Sequence, residues 1–408
     1  VPKLRFKEFE EKIISSIFGK YIESSKYGPR FDAKDYSEQG NVRTIRGTDV
    51  SLEGAIKYSQ VPLAKLPTKI VEEHQLLDGD ILMITTADCG LSAVFYQQDI
   101  PYIASAYAVR IKLSNQNNSE WFKFYLQTKH IQNEVNKYVR KGTLSNLPLS
   151  DISKFLVNIP QIEEQTQIAS FLSAVDEKIS QLTQKHRLLC EYKQGMMQKL
   201  FSQQLRFKAD DGSDFGEWED KLIKDIADVK GGKRIPKGYS LVNENTGHPY
   251  ITVSDMNRSY SIDDINIRYV PFEVVETIKR YTITDKDIFI SVAGTLGIIG
   301  KIPAKLQGAN LTENADKLTN LKCHQDFLIY LLDSGCLSEL IENTATTSAQ
   351  PKLALYAIEQ LEVKIPCLEE QTKIANFLSA IDQKIEVVAE QIKQAKTWKK
   401  GLLQQMFV

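Results

Sequence analysis

The pattern of apolar residues predicts two long helices with one shared spacing. After Pro160, apolar side chains recur in alternating steps of four and three residues, and the same pattern returns 206 residues later, after Pro366. This heptad spacing is typical of a helix with one continuous apolar seam. Each helix should run for about 40 residues, or roughly 60 Å. The seam residues are Ile168, Leu172, Val175, Ile179 and Leu182 in the first helix and Ile374, Leu378, Ile381, Ile385 and Val388 in the second.

A seam of this length needs a partner, because long exposed apolar stripes are unfavourable in a globular protein. One interpretation is that each helix packs only on its own globular segment. We expect instead that the two helices pair with each other as an antiparallel coiled coil, since globular and helical segments alternate along the chain. Such pairing would relate the two halves by a pseudo-two-fold axis. Lys193 and Lys399 interrupt the two seams at matching positions.

The chain is a tandem repeat with a period of about 206 residues. The block at 159–179 recurs at 365–385, and 15 of its 21 residues are identical. Weaker matches lie outside this block, and the tetrapeptide LRFK occurs at both 4–7 and 205–208. A period this long excludes a solenoid. It favours two copies of one unit, in which a globular segment is followed by a helix.

The two globular segments, 1–160 and 206–366, diverge in sequence but share a mixed pattern. Short runs rich in β-branched residues alternate with amphipathic stretches, so we predict an α+β fold with a curved sheet in each segment. The clearest strand-like runs are at 79–84, 106–111, 249–253 and 287–290, and the clearest helical stretches are at 119–137 and 325–342.

The charge balance and the cysteines limit the binding surfaces, metal sites and cellular compartment that we expect. The 51 basic and 52 acidic residues give a formal net charge of −1, so any surface that binds nucleic acid must be a local basic face. The five cysteines form no CxxC pair and no zinc-ligand spacing. We therefore expect free thiols in the reducing cytoplasm and no metal site. No apolar run is long enough for a membrane span.

Several loops carry side chains that typically hold phosphates or read base edges. A solvated loop is the alternative interpretation for each of them, but their occurrence in matching places of both copies favours a binding function. The candidate DNA-binding residues are Lys26, Arg30, Arg43, Arg46, Lys141, Thr143 and Ser145 in the first copy and Lys230, Lys233, Arg234, Lys237, Arg258, Ser348, Gln350 and Lys352 in the second.

Motifs for catalysis are missing or weak. No GxxxxGK[ST] phosphate loop is present, and no Asp/Asn-Pro-Pro-aromatic run of an adenine methyltransferase occurs. The stretch Glu362-Val363-Lys364 resembles half of a nuclease motif, although an apolar strand explains it equally well. Asp88, Cys89 and His74 would form a thiol triad only if the fold brought them together. We predict that the chain is not itself an enzyme.

At the blocks IPQIEEQTQIASFLSAVDEKI and IPCLEEQTKIANFLSAIDQKI the chain resembles the conserved regions of type I restriction–modification specificity subunits. The lead-in TTSAQPKLALYAIEQLEVKIP resembles the end of a target recognition domain of that family. The resemblance covers essentially the whole chain. It implies target recognition domains at 1–160 and 206–366, a central conserved helix at 161–205 and a distal conserved helix at 367–408.

The resemblance also implies a function. Each recognition domain would read one half of a bipartite site in double-stranded DNA. Two modification subunits would dock on the helices, and restriction subunits would complete the complex. S-adenosylmethionine, ATP and Mg²⁺ would bind to these partners, with no cofactor in this chain. A coiled-coil adaptor with two ligand-recognition domains and no affinity for DNA is the alternative.

Overall fold

The computed structural model describes residues 2–345 and 352–407. The chain forms two compact units, of which unit 1 comprises residues 1–184 and 389–408, and unit 2 comprises residues 185–388. The two long helices, α5 (Ile162–Phe201) and α11 (Leu368–Met406), each contribute one part to unit 1 and the other part to unit 2. Both predicted long helices are therefore confirmed.

Unit 1 contains nine strands and four shorter α-helices among its described residues. Its strands are β1 (Ile14–Ile17), β2 (Ile22–Tyr27), β3 (Val42–Ile45), β4 (Leu63–Ala64), β5 (Ile81–Ile84), β6 (Ser92–Val94), β7 (Tyr102–Ala104), β8 (Ala108–Leu113) and β9 (Leu156–Ile159). Its shorter helices are α1 (Thr68–His74), α2 (Ser119–Tyr125), α3 (Lys129–Tyr138) and α4 (Leu149–Ile152).

Unit 2 repeats this order with local differences. Its strands are β10 (Glu219–Leu222), β11 (Asp228–Gly231), β12 (Pro249–Ile251), β13 (Arg268–Tyr269), β14 (Thr282–Ile283), β15 (Ile288–Ser291), β16 (Ile299–Gly300), β17 (Ala309–Leu311), β18 (Ala315–Thr319) and β19 (Glu362–Ile365). Its shorter helices are α6 (Ile223–Ile226), α7 (Val275–Ile278), α8 (Gln325–Leu331), a π-helical turn (Leu332–Cys336), α9 (Leu337–Ala345) and α10 (Leu355–Glu359).

The strands form three small sheets in each unit instead of the single curved sheet that we predicted. Unit 1 has an antiparallel sheet β2-β8-β5-β6, a mixed sheet β4-β3-β7 and a ribbon β1-β9. Unit 2 has the matching sheets β11-β18-β15-β16, β13-β12-β17-β14 and β10-β19. In each mixed sheet one pair of strands is parallel, β3 with β7 in unit 1 and β12 with β17 in unit 2. The α+β class and the four predicted strand positions are confirmed.

The two predicted amphipathic helices are each interrupted. Between α2 and α3, the Thr128 hydroxyl donates to the carbonyl of Tyr125 at 2.7 Å and accepts from the amide of Ile131, so that it ends one helix and caps the next. Between α8 and α9, Gly335 has a φ of 146°, which a helix cannot accommodate. Periodicity alone did not reveal these breaks, because the apolar face continues through them.

In unit 1 the start of α5 packs antiparallel to the end of α11. Ile168, Leu172 and Val175 are buried in one core with Leu402 and Met406. Asp176 forms an ion pair of 2.6 Å with Lys399, while Ile168 lies near Met406 at the other end of the contact. The predicted seam thus contacts both the partner helix and the domain core, and Ile179 packs at its margin.

In unit 2 the end of α5 packs in the same way on the start of α11. Ile374, Leu378 and Ile381 are buried with Met197 and Leu200. The second ion pair joins Lys193 to Asp382, again at 2.6 Å. Of the remaining seam residues, Val388 is buried, whereas Ile385 and Leu182 are half-buried.

The repeated block fixes the first turn of each long helix. Arg5 makes two hydrogen bonds of 2.7 Å to the buried carboxylate of Glu164, and Arg206 bonds to Glu370 at 2.7 and 3.1 Å. In unit 2 the indole of Trp218 also donates to Glu370, at 3.2 Å. The hydrogen bond to the carboxylate raises the pKa of the Arg206 guanidinium above its ordinary value. The LRFK repeat is therefore explained by an arginine that neutralises a buried glutamate.

The glutamine of the same block joins the long helix to a second helix. The amide of Gln165 donates to the carbonyl of Pro160 at 2.9 Å, and its oxygen accepts from the backbone amide of Asn118. Gln371 makes the matching bonds to Pro366 and His324. This arrangement sets α2 and α8 against the first turns of α5 and α11, respectively.

Replacing Arg206 with alanine should lower the free energy of unfolding by about 3 kcal/mol, because Glu370 would remain charged and buried, with Trp218 as its remaining side-chain donor among the described residues. The measurement is urea unfolding of the full chain followed by circular dichroism. The control is Arg187→Ala, which removes an exposed pair with Glu191 on α5 and should cost less than about 0.5 kcal/mol. Equal effects of the two substitutions would contradict this account of the repeated block.

Candidate nucleic-acid interface

A glycine allows the loop after β2 to cross the end of β7. A side-chain Cβ on Gly28 would lie 2.0 Å from the carbonyl oxygen of Ala104, so no other residue fits without moving the backbone. The amide of Gly28 donates to the carbonyl of Ala108 at 3.1 Å. This close approach places Lys26 and Arg30 on the two sides of the crossing.

Unit 2 has the same crossing at Gly232. A Cβ there would lie 2.0 Å from the carbonyl oxygen of Thr312, and the glycine amide donates to Ala315 at 3.0 Å. The two loops that sequence matching related to each other are thus structural counterparts. Lys230 and Arg234 take the flanking places, and the ammonium of Lys233 lies 5.6 Å from the centre of the Tyr281 ring.

Further loops join each crossing through backbone hydrogen bonds. In unit 1, Ser105 donates to Ile45, Thr85 to Tyr107, and Leu147 to Thr85, at 2.8–2.9 Å. In unit 2 the corresponding donors and acceptors are Thr312 to Ile251, Val292 to Asn314, and Leu353 to Val292, at 2.8–3.0 Å. We call these connected loops the loop cluster of each unit. They comprise residues 28–30, 46–49, 85–90, 105–107 and 140–147 in unit 1 and residues 232–237, 252–255, 292–297, 312–314 and 352–353 in unit 2.

Five of the predicted residues already have partners within the protein. Lys26 pairs with Glu73, Lys230 with Asp228 at 3.7 Å, and Arg234 with Glu313 at 2.6 Å. The half-buried Arg43 donates to the carbonyl of Val61 from within β3, and Arg46 pairs with Asp49. Of these, Arg43 has a structural role that does not depend on a ligand.

The pair of Arg46 and Asp49 shapes the turn after β3. Both carboxylate oxygens accept from the guanidinium at 3.0 Å, and one also accepts from the backbone amide of Arg46 at 2.9 Å. Burial opposes ionisation of Asp49, but these hydrogen bonds and one from Gln60 hold its pKa below the usual value. Thr252 and Asp255 form the same turn in unit 2, with a hydroxyl in place of the guanidinium.

Apart from Lys233, whose ammonium lies over the ring of Tyr281, the other predicted residues fall into three groups. Arg30, Lys141, Lys237, Arg258 and Lys352 are exposed, and no ion pair joins any of them to the described residues. Thr143 is exposed and Ser145 is half-buried on the loop before α4, where the Ser145 carbonyl accepts from the amide of Ala87. Ser348 and Gln350 lie outside the described residues. The free basic side chains are the best candidates for phosphate contacts.

Sequence reasoning missed an exposed aromatic side chain in the loop cluster of unit 1. The carbonyl of Tyr107 accepts from both the amide and the hydroxyl of Thr85, at 2.9 Å each, so its backbone is fixed. Its ring nevertheless remains 64% exposed. Asn314 holds the matching position in unit 2. Tyrosine and asparagine differ in how they contact a base. Sequence matching does not relate these two positions, and only the backbone hydrogen bonds of the loops show that they correspond.

A buried carboxylate beside the loop cluster of unit 2 was also missed. Asp316 lies on β18 next to Gly231, and burial raises its pKa to about 6, with Lys352 acting in the opposite direction. The matching ladder position in unit 1 holds the buried Val109. Because an ionised acid is costly to bury, the sequence alone predicts an aspartate at the surface and does not reveal this buried position.

The weak catalytic candidates do not come together. Burial raises the pKa of the Cys89 thiol, whose sulfur donates to Thr85, whereas His74 contacts the carbonyl of Tyr27. Glu362 and Lys364 are exposed on β19 on either side of the buried Val363. Within the described residues no group of three or more acidic, histidine or cysteine side chains forms a metal-binding cluster. Among the same residues, none of the helices has the length and apolar character needed to cross a bilayer.

The family model for the type I restriction modification DNA specificity domain matches the chain twice, at residues 7–189 and 216–397. A Methanocaldococcus jannaschii chain assigned as the specificity subunit of the type I restriction enzyme MjaX is 26% identical over 82% of this chain and 78% of its own length. The MjaVIII specificity subunit of the same organism is 24% identical over 87% of this chain and 86% of its own.

The fold is also that of solved specificity subunits. The S subunit of a type I restriction–modification system from M. genitalium has a TM-score of 0.61 at 16% identity, covering 100% of this chain and 99% of that one. A chain from a structure concerned with assembly and conformational transition of the type I system has a TM-score of 0.58 at 16% identity and 98% coverage of both chains.

Because the DNA specificity domain matches twice, each time over one domain and most of the long helix that follows it, the chain is a DNA-recognition component of a larger system. The chain belongs to the type I restriction–modification specificity subunit family. It therefore recognises DNA alongside other subunits of such a system, and it is not a catalytic component.

Replacing Asp316 with asparagine should stabilise the protein at pH 8 by about 2–3 kcal/mol, since a folded pKa near 6 exceeds the unfolded value by about two units. A raised acid pKa means that the wild type loses stability as pH rises from about 4 through 6. The gain should therefore shrink towards pH 5. Thermal unfolding at both pH values measures it, with the exposed Glu244→Gln as control. A gain that is equal at pH 5 and pH 8 would contradict the buried, ionised state of Asp316.

Proposed function

We propose that each recognition domain reads one half of a bipartite, asymmetric site in double-stranded DNA through its loop cluster. The observation that supports this is that the two clusters share glycine crossings and backbone hydrogen bonds but differ in their exposed side chains. Two copies of one scaffold that differ in their exposed side chains can recognise two different base sequences. Side chains distinguish one base edge from another, whereas the phosphates are the same in every sequence.

In this proposal the long helices dock two modification subunits that methylate adenine, and restriction subunits add translocation and cleavage. S-adenosylmethionine, ATP and Mg²⁺ would act on those partners, in the cytoplasm. What supports this division of labour is the family membership, together with the repeated helix block, which presents similar sequence twice. Docking of two identical partners needs two similar surfaces.

Exchanging residues 1–158 for the first recognition domain of a relative with a different target should change one half-site and leave the other intact. The expectation follows from the separate cores and loop clusters of the two domains. The measurement is methylation mapping of DNA from cells that express the exchanged chain with its modification and restriction subunits. The matched control exchanges only the block 159–179, which should leave the site unchanged. A change in both half-sites would contradict independent reading.

Replacing both Arg30 and Lys141 with glutamine should weaken binding of the chain to random-sequence duplex and reduce the salt dependence of the affinity. Each lost phosphate contact should lower the slope of log K against log salt concentration by about 1. Fluorescence anisotropy at several salt concentrations measures the slope. Lys34→Gln is the control, because Lys34 is exposed in the same domain but pairs with Asp32 at 3.1 Å. Absence of any salt-dependent binding by the wild type would support the adaptor alternative.

A further inference from the structure

Tyr260 has a backbone conformation that side chains other than glycine rarely adopt. Its φ is +60°, in a turn closed by a hydrogen bond of 3.0 Å from the amide of Asn257 to the carbonyl of Ser261. The same turn in unit 1 is closed between Ser51 and Ala55, and there the matching position is Gly54, with a φ of +75°. Unit 2 thus keeps a strained tyrosine where glycine would fit without strain.

The phenol of Tyr260 lies at the centre of a polar network. Its oxygen accepts from the ammonium of Lys193 on α5 at 3.0 Å and donates to Asp333 at 2.6 Å. The same ammonium pairs with Asp382 on α11 at 2.6 Å, and Asp382 accepts from the hydroxyl of Tyr330 at 2.7 Å. Lys193 also lies 4.4 Å from the centre of the Tyr260 ring. One side chain of the domain therefore contacts the charged pair that joins the two long helices in unit 2.

Strand β16 and the residue after it support the turn that carries Tyr260. A Cβ on Gly300 would lie 2.4 Å from the carbonyl carbon of Tyr260, so β16 is glycine at the point where the turn rests on it. The amide of Lys301 donates to the carbonyl of Tyr260 at 3.0 Å. In unit 1 the ladder position of Gly300 is taken by Ala93. The contacts with Gly300 and Lys301 therefore hold Tyr260 in its strained conformation.

Unit 1 lacks the network although it keeps the ion pair. Lys399 still bonds to Asp176, and its ammonium lies 5.3 Å from the centre of the Phe124 ring. Three matched positions differ together, with Gly54 for Tyr260, Phe124 for Tyr330 and Gln127 for Asp333. The amide of Gln127 instead donates directly to the backbone of Glu53 at 3.0 Å. A joint difference at three contacting positions is expected of a network that acts as a unit.

We propose that Tyr260 is a positioning residue that clamps the second recognition domain to the helix segments of unit 2. Recognition by this domain then depends on Lys193 and Asp382, and the loop that carries Arg258 is held at a fixed place relative to them. The first domain has no such clamp. This inference rests on the proposed function, in which each domain reads its own half-site.

The test uses the full chain in complex with its modification subunits. Methylation mapping first defines the site of the wild type, and duplexes altered in one or the other half-site then measure discrimination at each half as a ratio of affinities. Tyr260→Gly, which accepts the positive φ, should lower discrimination at the second half-site by at least about tenfold, the cost of a lost hydrogen bond to a charged partner. Discrimination at the first half-site should not change.

Two further variants separate the clamp from general stability. Tyr260→Phe keeps the ring and removes only the hydroxyl, so it should lower discrimination at the second half-site as well. Asp333→Ala, which removes the acceptor of the Tyr260 hydroxyl and leaves the Lys193–Asp382 pair in place, should have the same effect, and combining it with Tyr260→Phe should add little, since both act through one network. Tyr239→Phe, at an exposed tyrosine of unit 2, is the control and should change nothing.

The outcomes distinguish the clamp from the proposed function. The clamp is established if discrimination is lost only at the second half-site and the double variant loses less than the sum of the two single variants. Equal losses at both half-sites, or no loss in either Tyr260 variant, overturn it while leaving bipartite reading intact. A wild-type complex whose methylated site has no second half refutes the proposed function, and the clamp with it.

Discussion

Lys193 and Lys399 place an ammonium group on the apolar seam of a long helix, where a charge is tolerated only with a partner. Asp382 and Asp176 supply those partners from the other helix, each at 2.6 Å. The pairs fix the register of the antiparallel contact in each unit, because a shift by one turn would leave both the lysine and the aspartate unpaired. Everything else in a unit, including the domain core beneath the seam, is built around this register.

The helices, their seams and the tandem repeat could be predicted because they depend on periodic apolar spacing and on identity between the two copies. The sequence also related the loop at Lys26 to that at Lys230, although the reason, a glycine that crosses a strand end, is visible only in three dimensions. From the apolar pattern alone, the lysines of the seams are predicted only as interruptions. Their aspartate partners could have been found, since Asp176 and Asp382 belong to the same repeated block.

Other features could not be predicted, for physical reasons. Thr128 and Gly335 end helices whose apolar pattern continues past them, so apolar periodicity does not predict these helix ends. Asp316 occupies a strand position where the other copy has Val109, and Tyr260 occupies a turn position where the other copy has glycine. In both cases the residue type is unfavourable for its local position, and the surrounding structure nevertheless holds it there. Such conflicts between local preference and fold are expected at functional or strained sites.

Unit 1 is completed by residues 389–408, which are synthesised after all of unit 2. Its core includes Leu402, Met406 and Phe407 of α11, and the amide of Leu4 donates to the carbonyl of Gln405 at 2.9 Å. Unit 2 is complete once residue 388 has been made. During vectorial synthesis the first domain therefore emerges first but reaches its final packing last, after the second domain can already fold. A premature stop codon near residue 390 would accordingly damage unit 1 and spare unit 2.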